Sequence, residues 1–281
     1  MKTRAITGFF FVIVMLASIL LGHYVFTVFY LLLCLFCLWE FYGLVKQNTA
    51  EPNVIAGLIN GALIYSAFAL LIYSNAFTLS FLHHGKLAHT LLFLIPLTLS
   101  AIFFLELYKK SETPFTNISY TIMGIIYAIV PFTFFHALGY VNVHKGFNFH
   151  VPLAFLIMLW ANDTGAYLSG YFFGRTKLFE RHSPKKTWEG FIGGVLISAL
   201  AAYIISRYYR DLSWDHWVTI AVLISCFGTL GDLVESMFKR SINIKDSGGI
   251  LPGHGGLLDR FDGLLLSAPI VYAYLYLITN S

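Results

Sequence analysis

Apolar runs of about 20 residues recur along the whole of this chain, each long enough to cross roughly 30 Å of hydrocarbon as a helix. Nine are read, at about 5–21, 24–45, 53–74, 87–107, 117–140, 150–173, 188–206, 217–235 and 262–279. None shows the dyad alternation of polar and apolar residues that barrel strands would carry. The expected fold class is therefore an all-α integral membrane protein, a polytopic helical bundle of about nine transmembrane helices. Composition agrees: 58% of the 281 residues are hydrophobic and 11% charged, against about 25% charged in a soluble domain.

The basic residues set the expected orientation. With a cytoplasmic N-terminus, the inner segments hold Lys2, Arg4, Lys46, Lys109, Lys110, Arg175, Lys177, Arg181, Lys185, Lys186, Lys239, Arg240, Lys245 and Arg260. The outer loops hold only Lys86, Lys145, Arg207 and Arg210. Cytoplasmic loops carry the Lys and Arg excess, so the N-terminus is expected inside and the C-terminus outside, which needs an odd number of spans. Lys2 and Arg4 before an apolar run resemble the start of a signal peptide, but no small-x-small cleavage site follows, so an uncleaved first helix is expected. Only Gly22-His23-Tyr24 separates the first two runs, which implies a tight helical hairpin. Cys34, Cys37 and Cys226 all fall within spans, and Cys34-x-x-Cys37 on an apolar helix reads as core packing. The net charge of +4 fits attraction to anionic lipids and gives no sign of a nucleic-acid partner.

Acidic residues divide the chain. Glu40, Glu51, Glu106, Glu112, Asp211 and Asp215 are scattered at span ends and short loops, whereas the other eight fall within 160–190 and 228–263. Residues 1–150 accordingly read as a transmembrane scaffold of about five helices. Residues 151–281 read as a catalytic transmembrane domain with cytoplasmic loops 174–187 and 236–261.

The first acidic window is WANDTGAYLSGYFFGRTKLFERHSPKKTWEGFIGG. Asp163 lies within a span, where a carboxylate is expensive and pairs with a cation or coordinates something. Gly165, Gly170 and Gly174 allow close helix approach. Thr187 is placed to cap a helix whose first turn holds Glu189, and Lys185 and Lys186 beside that start would make an anion site. In the second window Asp232, Glu235 and Ser236 share one helix face, continued by Lys239 a turn later. Such a face cannot look at lipid and must line a polar cavity. Five glycines between Lys245 and Leu257, including Gly255 and Gly256 after His254, suit close backbone approach to phosphates. Asp259 and Asp262 then flank Arg260.

Two carboxylate pairs, several lysines and a glycine-rich loop point to Mg²⁺ with phosphates, the equipment of phosphoryl or nucleotidyl transfer; an ion-coupled transporter is the competing class. No G-x-x-x-x-G-K-[ST] and no H-E-x-x-H occurs, which removes P-loop enzymes and the common metalloproteases.

Ser236-Met-Phe-Lys239-Arg240, then Lys245-Asp246-Ser-Gly, then Leu251-Pro252-Gly-His254-Gly255-Gly256-Leu-Leu-Asp259-Arg260-Phe-Asp262 resembles the signature of the phosphatidate cytidylyltransferase family. Ser183-Pro184-Lys185-Lys186-Thr187-x-Glu189-Gly190 and Asp163-x-x-Ala166-Tyr167 resemble that family too, with Trp188 standing where an aliphatic residue is expected. The motifs cover 160–263; the first 150 residues match in hydropathy alone.

The resemblance implies Mg²⁺-dependent conversion of CTP and phosphatidate to CDP-diacylglycerol and pyrophosphate by a polytopic homodimer in a bacterial-type inner membrane, with its site open to cytoplasm and lipid. It implies Asp232 and Asp259 as the principal metal carboxylates, with Asp262, Glu235 and Asp246 as further ligands. Lys239, Lys245 and Arg260 would hold the triphosphate, and Lys185 and Lys186 the phosphatidate head group or the leaving pyrophosphate. Ser236, His254, Gly255 and Gly256 complete the expected substrate contacts. CTP-dependent polyprenol or phytol kinases are the nearest alternative. A CDP-alcohol phosphotransferase shares Asp259-x-x-Asp262-Gly263, but Leu264-Leu265-Leu266-Ser267 breaks the continuation that motif requires. A transporter would be expected to show internal repeats, and none is seen.

Overall fold

The computed structural model describes residues 2–48, 50–76, 84–141, 146–181, 183–244, 247 and 255–280. Its helices are α1 (Lys2–Leu20), α2 (His23–Asn48), α3 (Val54–Ala76), α4 (His84–Tyr108), α5 (Pro114–Gly124) and α6 (Val130–Leu138), followed by α7 (His150–Phe173), α8 (Trp188–Tyr208), α9 (Trp214–Ser241) and α10 (Leu258–Asn280). A π-helical stretch, Ile125–Ile129, joins α5 to α6 into one rod. Among the described residues, eight helices are long and apolar enough to cross a membrane, with Pro114–Leu138 counted as one. The expected helical membrane bundle is therefore what the chain forms. The first of the nine expected spans falls on α1, of which Thr7–Leu20 is the apolar stretch among the described residues. Gly22, in the left-handed region at φ +99°, makes the tight turn expected between α1 and α2.

Two boundaries differ in ways that bear on the site. Helix α9 continues past residue 235 to Ser241, and α10 begins at Leu258 rather than 262. The expected 236–261 loop is thus shorter, and Ser236, Lys239, Asp259 and Arg260 stand on helices. Local chemistry explains the extension. Lys239 and Arg240 complement the carboxyl end of the α9 dipole and Asp259 the amino end of α10. Asn243, at φ +59°, then closes α9, and the Ile244 N–H donates to the Lys239 carbonyl at 2.9 Å. Between α7 and α8 the expected loop contains an antiparallel pair, β1 (Lys177–Phe179) and β2 (Ser183–Thr187), with Lys177 opposite Thr187 and Phe179 opposite Ser183.

The chain divides into two compact units, residues 1–148 with 246–258, and residues 149–245 with 259–281. In the first, α2 is the core helix: Phe26, Tyr30, Cys34, Cys37, Leu38, Phe41 and Tyr42 are all fully buried. The two cysteines are thus packing residues with free thiols. A polar lock ties helix ends together: Asn117 Nδ2 donates to Glu106 Oε1 at 2.6 Å, Asn117 Oδ1 accepts the Glu51 N–H at 2.8 Å, and Tyr42 donates to the Thr121 carbonyl at 2.6 Å.

The second unit is built on glycines. Added Cβ atoms at Gly190 and Gly194 would stand 2.9 Å from the Ala166 carbonyl oxygen and 2.7 Å from Asn162 Oδ1, so α7 and α8 touch backbone to backbone along this seam. Ser198 adds a hydrogen bond across it, donating to the Met158 carbonyl at 3.0 Å. Helices α9 and α10 approach in the same way where Gly228 faces Gly263 and Gly231 faces the Asp262 backbone.

Candidate active site

The α9–α10 approach decides where the carboxylates go. Asp232 follows Gly231 on α9, and Asp262 precedes Gly263 on α10, so the glycine contact that lets the backbones meet also draws their acidic neighbours together. Glu235 lies one turn along α9. Oxygens of Asp232, Glu235 and Asp262 all fall within 4.8 Å of one another. Glu235 is buried, 2% exposed, while Asp232 and Asp262 are part-exposed. Three carboxylates this close repel one another, and nearby cations or a retained proton relieve the repulsion.

Two lysines supply such cations. Lys186, presented by β2, forms an ion pair with Asp232 Oδ2 and donates to the Thr229 carbonyl at 3.4 Å. Lys239 bridges Glu235 Oε2 at 3.3 Å and Asp259 Oδ1 at 2.6 Å. Ser236 completes the α9 face by donating to Asp232 Oδ1 at 3.3 Å. Asp232, Glu235, Ser236 and Lys239 thus share the helix face that their spacing predicts.

The hairpin that presents Lys186 is anchored at its base. The Glu189 carboxylate accepts the N–H groups of Arg175 and Thr176, each at 3.1 Å, and the Trp188 N–H donates to the Thr176 carbonyl at 3.0 Å. Thr187 caps α8 as expected, accepting the Gly190 N–H at 3.2 Å. Lys185, next to Lys186, is exposed.

Of the residues singled out in sequence, Asp232, Glu235, Ser236, Lys239, Asp259, Asp262 and Lys186 form one connected set. Within it Asp259 is held by Lys239, whereas Asp262 joins Asp232 and Glu235 in the tight cluster. Arg260 is exposed on the first turn of α10. Gly255, left-handed at φ +83°, and buried Gly256 belong to the first unit. Lys245, Asp246 and His254 lie outside the described residues.

Two acidic residues gain weight from the structure. Asp163, beside buried Asn162 on α7, feels the charges of Lys186, Asp232 and Arg260. Its signal in the sequence is a carboxylate inside a span. Glu40, scattered among span ends when read by position, turns out to be buried against the glycine turn before α10. Its signal is weaker: a carboxylate within an otherwise apolar α2.

Oxygen-rich carboxylate clusters flanked by lysines suit phosphate chemistry with a hard cation, and many families could use one. The family model for "Cytidylyltransferase family" matches residues 2–278. The chain belongs to the cytidylyltransferase family. Its membership covers α1 to α10, including the 150 N-terminal residues that match by hydropathy alone when read singly. The chain is 35% identical over 275 residues to a phosphatidate cytidylyltransferase of Staphylococcus aureus (strain COL), spanning 96% of this chain and 97% of that protein. Phosphatidate cytidylyltransferases of Staphylococcus haemolyticus and Staphylococcus epidermidis are each 34% identical, again over 96% of this chain and 97% of theirs. The chain is thus a nucleotidyl-transfer enzyme.

Proposed function

We propose that this chain transfers the cytidylyl group of CTP to phosphatidate, forming CDP-diacylglycerol and pyrophosphate, at the cytoplasmic face of a bacterial-type inner membrane. The observation that carries the reading is the convergence of Asp232, Glu235 and Asp262 with Lys186 and Lys239 in a chain aligned over 96% of its length with phosphatidate cytidylyltransferases. The excess of Lys and Arg in the loops on the side of 174–187 supports the cytoplasmic placement. A homodimer belongs to the same reading and rests on the family resemblance.

In this reaction a phosphate oxygen of phosphatidate attacks the α-phosphorus of CTP. The new P–O bond forms as the bond to the α–β bridging oxygen breaks, and pyrophosphate departs with that electron pair. No side-chain nucleophile is needed, so the protein contributes position and charge. Three carboxylates converging within 4.8 Å make an oxygen-only donor set that fits Mg²⁺. Asp232, Glu235 and Asp262 would hold it, with Asp259 and Asp246 as further carboxylates. Bound there, Mg²⁺ would supply neutralisation of the phosphate charge.

The lysines have their own part. An ammonium has three N–H donors, and Glu235 and Asp259 take two from Lys239, which fixes the side chain with a third donor for a phosphate oxygen. Lys186, set by the hairpin beside Asp232, is placed to bind the phosphatidate head group or the pyrophosphate, with exposed Lys185 beside it. Arg260 and Lys245 would hold the triphosphate, and Ser236, His254, Gly255 and Gly256 would contribute hydrogen bonds.

Product analysis tests the proposal. Detergent-solubilised protein given CTP, phosphatidate and Mg²⁺ should release pyrophosphate in step with CDP-diacylglycerol, and EDTA should stop both. Release of CDP would overturn it in favour of γ-phosphate transfer by a lipid kinase.

A further inference from the structure

We infer that Glu40, on α2, is a positioning residue for the transfer site: its carboxylate clamps the glycine turn before α10 and thereby fixes the first turn of the helix that carries Asp259 and Asp262. The inference rests on the proposed function for its kinetic consequence, but its geometry is independent of that reading.

Glu40 is 6% exposed in an apolar helix whose neighbours Cys37, Leu38 and Phe41 are fully buried. Burial of a carboxylate is costly unless strong donors meet it. The Leu258 N–H donates to Glu40 Oε2 at 2.9 Å across a separation of 218 residues. Leu258 opens α10, so Glu40 satisfies one of the N–H groups that a helix start leaves without an intrahelical partner, and it places negative charge at the positive end of the dipole. Such caps are normally local. Here α2 supplies one from the opposite end of the sequence.

The turn beneath is fitted to the same carboxylate. Gly255 holds a left-handed φ of +83°, and a side chain at Gly256 would strike both Glu40 Oε1 and the Ser247 carbonyl. Glu40, Ser247, Gly255, Gly256 and Leu258 all belong to the first unit, and Asp259 is the next residue in the chain. The cap thus acts on α10 through the helix's own first residue, Leu258.

The test uses Glu40→Gln, which keeps shape and one acceptor while removing charge, and Glu40→Leu, which removes the acceptor as well. Hydrogen exchange of the full-length protein in detergent, followed by mass spectrometry, reads the amides of 257–262. The expected result is at least tenfold faster exchange there in Glu40→Leu and a smaller acceleration in Glu40→Gln. In turnover, the Mg²⁺ concentration for half-maximal rate should rise at least fivefold and kcat fall, while the CTP KM at saturating Mg²⁺ stays within twofold. If Glu40→Leu does not fold, Glu40→Gln carries the test alone. Unchanged exchange at 257–262 with unchanged Mg²⁺ dependence in Glu40→Gln would overturn the inference. Failure of the cytidylyl-transfer reading would instead appear as wild-type protein without CDP-diacylglycerol product, with the exchange result untouched.

Discussion

Asp232→Asn should lower the rate of cytidylyl transfer at least about 10³-fold, a loss of roughly 4 kcal/mol of transition-state stabilisation. Three contacts converge on this carboxylate. It belongs to the cluster with Glu235 and Asp262, pairs with Lys186 through Oδ2, and accepts from Ser236 through Oδ1. The amide keeps the shape but loses the charge that pairs with Lys186 and that the proposed Mg²⁺ would require. Its side chain is 38% exposed, so the fold should survive, with a melting temperature near that of the parent. Asp211→Asn is the control. Asp211 pairs with His150 at 2.6 Å, away from the cluster, and its loss should leave the rate within twofold. Initial rates and thermal unfolding of both variants check this. A rate for Asp232→Asn within tenfold of the parent would contradict the assignment.

Gly231→Ala should be nearly as damaging, by a different route. A Cβ at Gly231 would stand 3.0 Å from the Asp262 carbonyl carbon and closer still to its oxygen, and backbone at a helix crossing cannot step aside. Helices α9 and α10 must then separate or rotate, which moves Asp262 away from Asp232. Overpacking of this kind costs about 1–3 kcal/mol of stability, and a displacement near 1 Å costs on the order of 100-fold in rate. Gly228→Ala, one turn earlier, meets the Leu159 Cδ1 methyl at 3.2 Å. That methyl ends a flexible side chain, so Gly228→Ala should keep most activity. Melting temperature and turnover of the pair, measured side by side, separate close helix approach from a general dislike of alanine in this segment.

Much of this was legible in the chain itself. Hydropathy located the helices because a membrane span must be apolar over its whole length, and 150–173 coincides with α7 as found. The same signal placed the ends of α9 and α10 too far apart. The charged residues that line a site interrupt hydropathy without interrupting a helix. The i, i+3, i+4 spacing on α9 was enough to set Asp232, Glu235, Ser236 and Lys239 on one face. It could not say which α10 carboxylate would meet them. That choice is made by Gly228, Gly231 and Gly263, whose packing is a tertiary property. The β1–β2 hairpin is not legible in sequence because strands of three and five residues, KLF and SPKKT, have little alternation to detect. Glu40 was missed because its partner is 218 residues away, beyond the reach of any local pattern.

On the proposed function, the α9–α10 carboxylate cluster serves cytidylyl transfer to a lipid. The most direct test follows α-phosphate-labelled CTP incubated with phosphatidate, Mg²⁺ and detergent-solubilised protein, with extraction into organic solvent. The expected result is label in the lipid fraction with the parent protein, abolished by EDTA and by Asp232→Asn. A folded parent protein that leaves all label in the aqueous phase, or an Asp232→Asn variant that moves label into lipid at the parent rate, would contradict it.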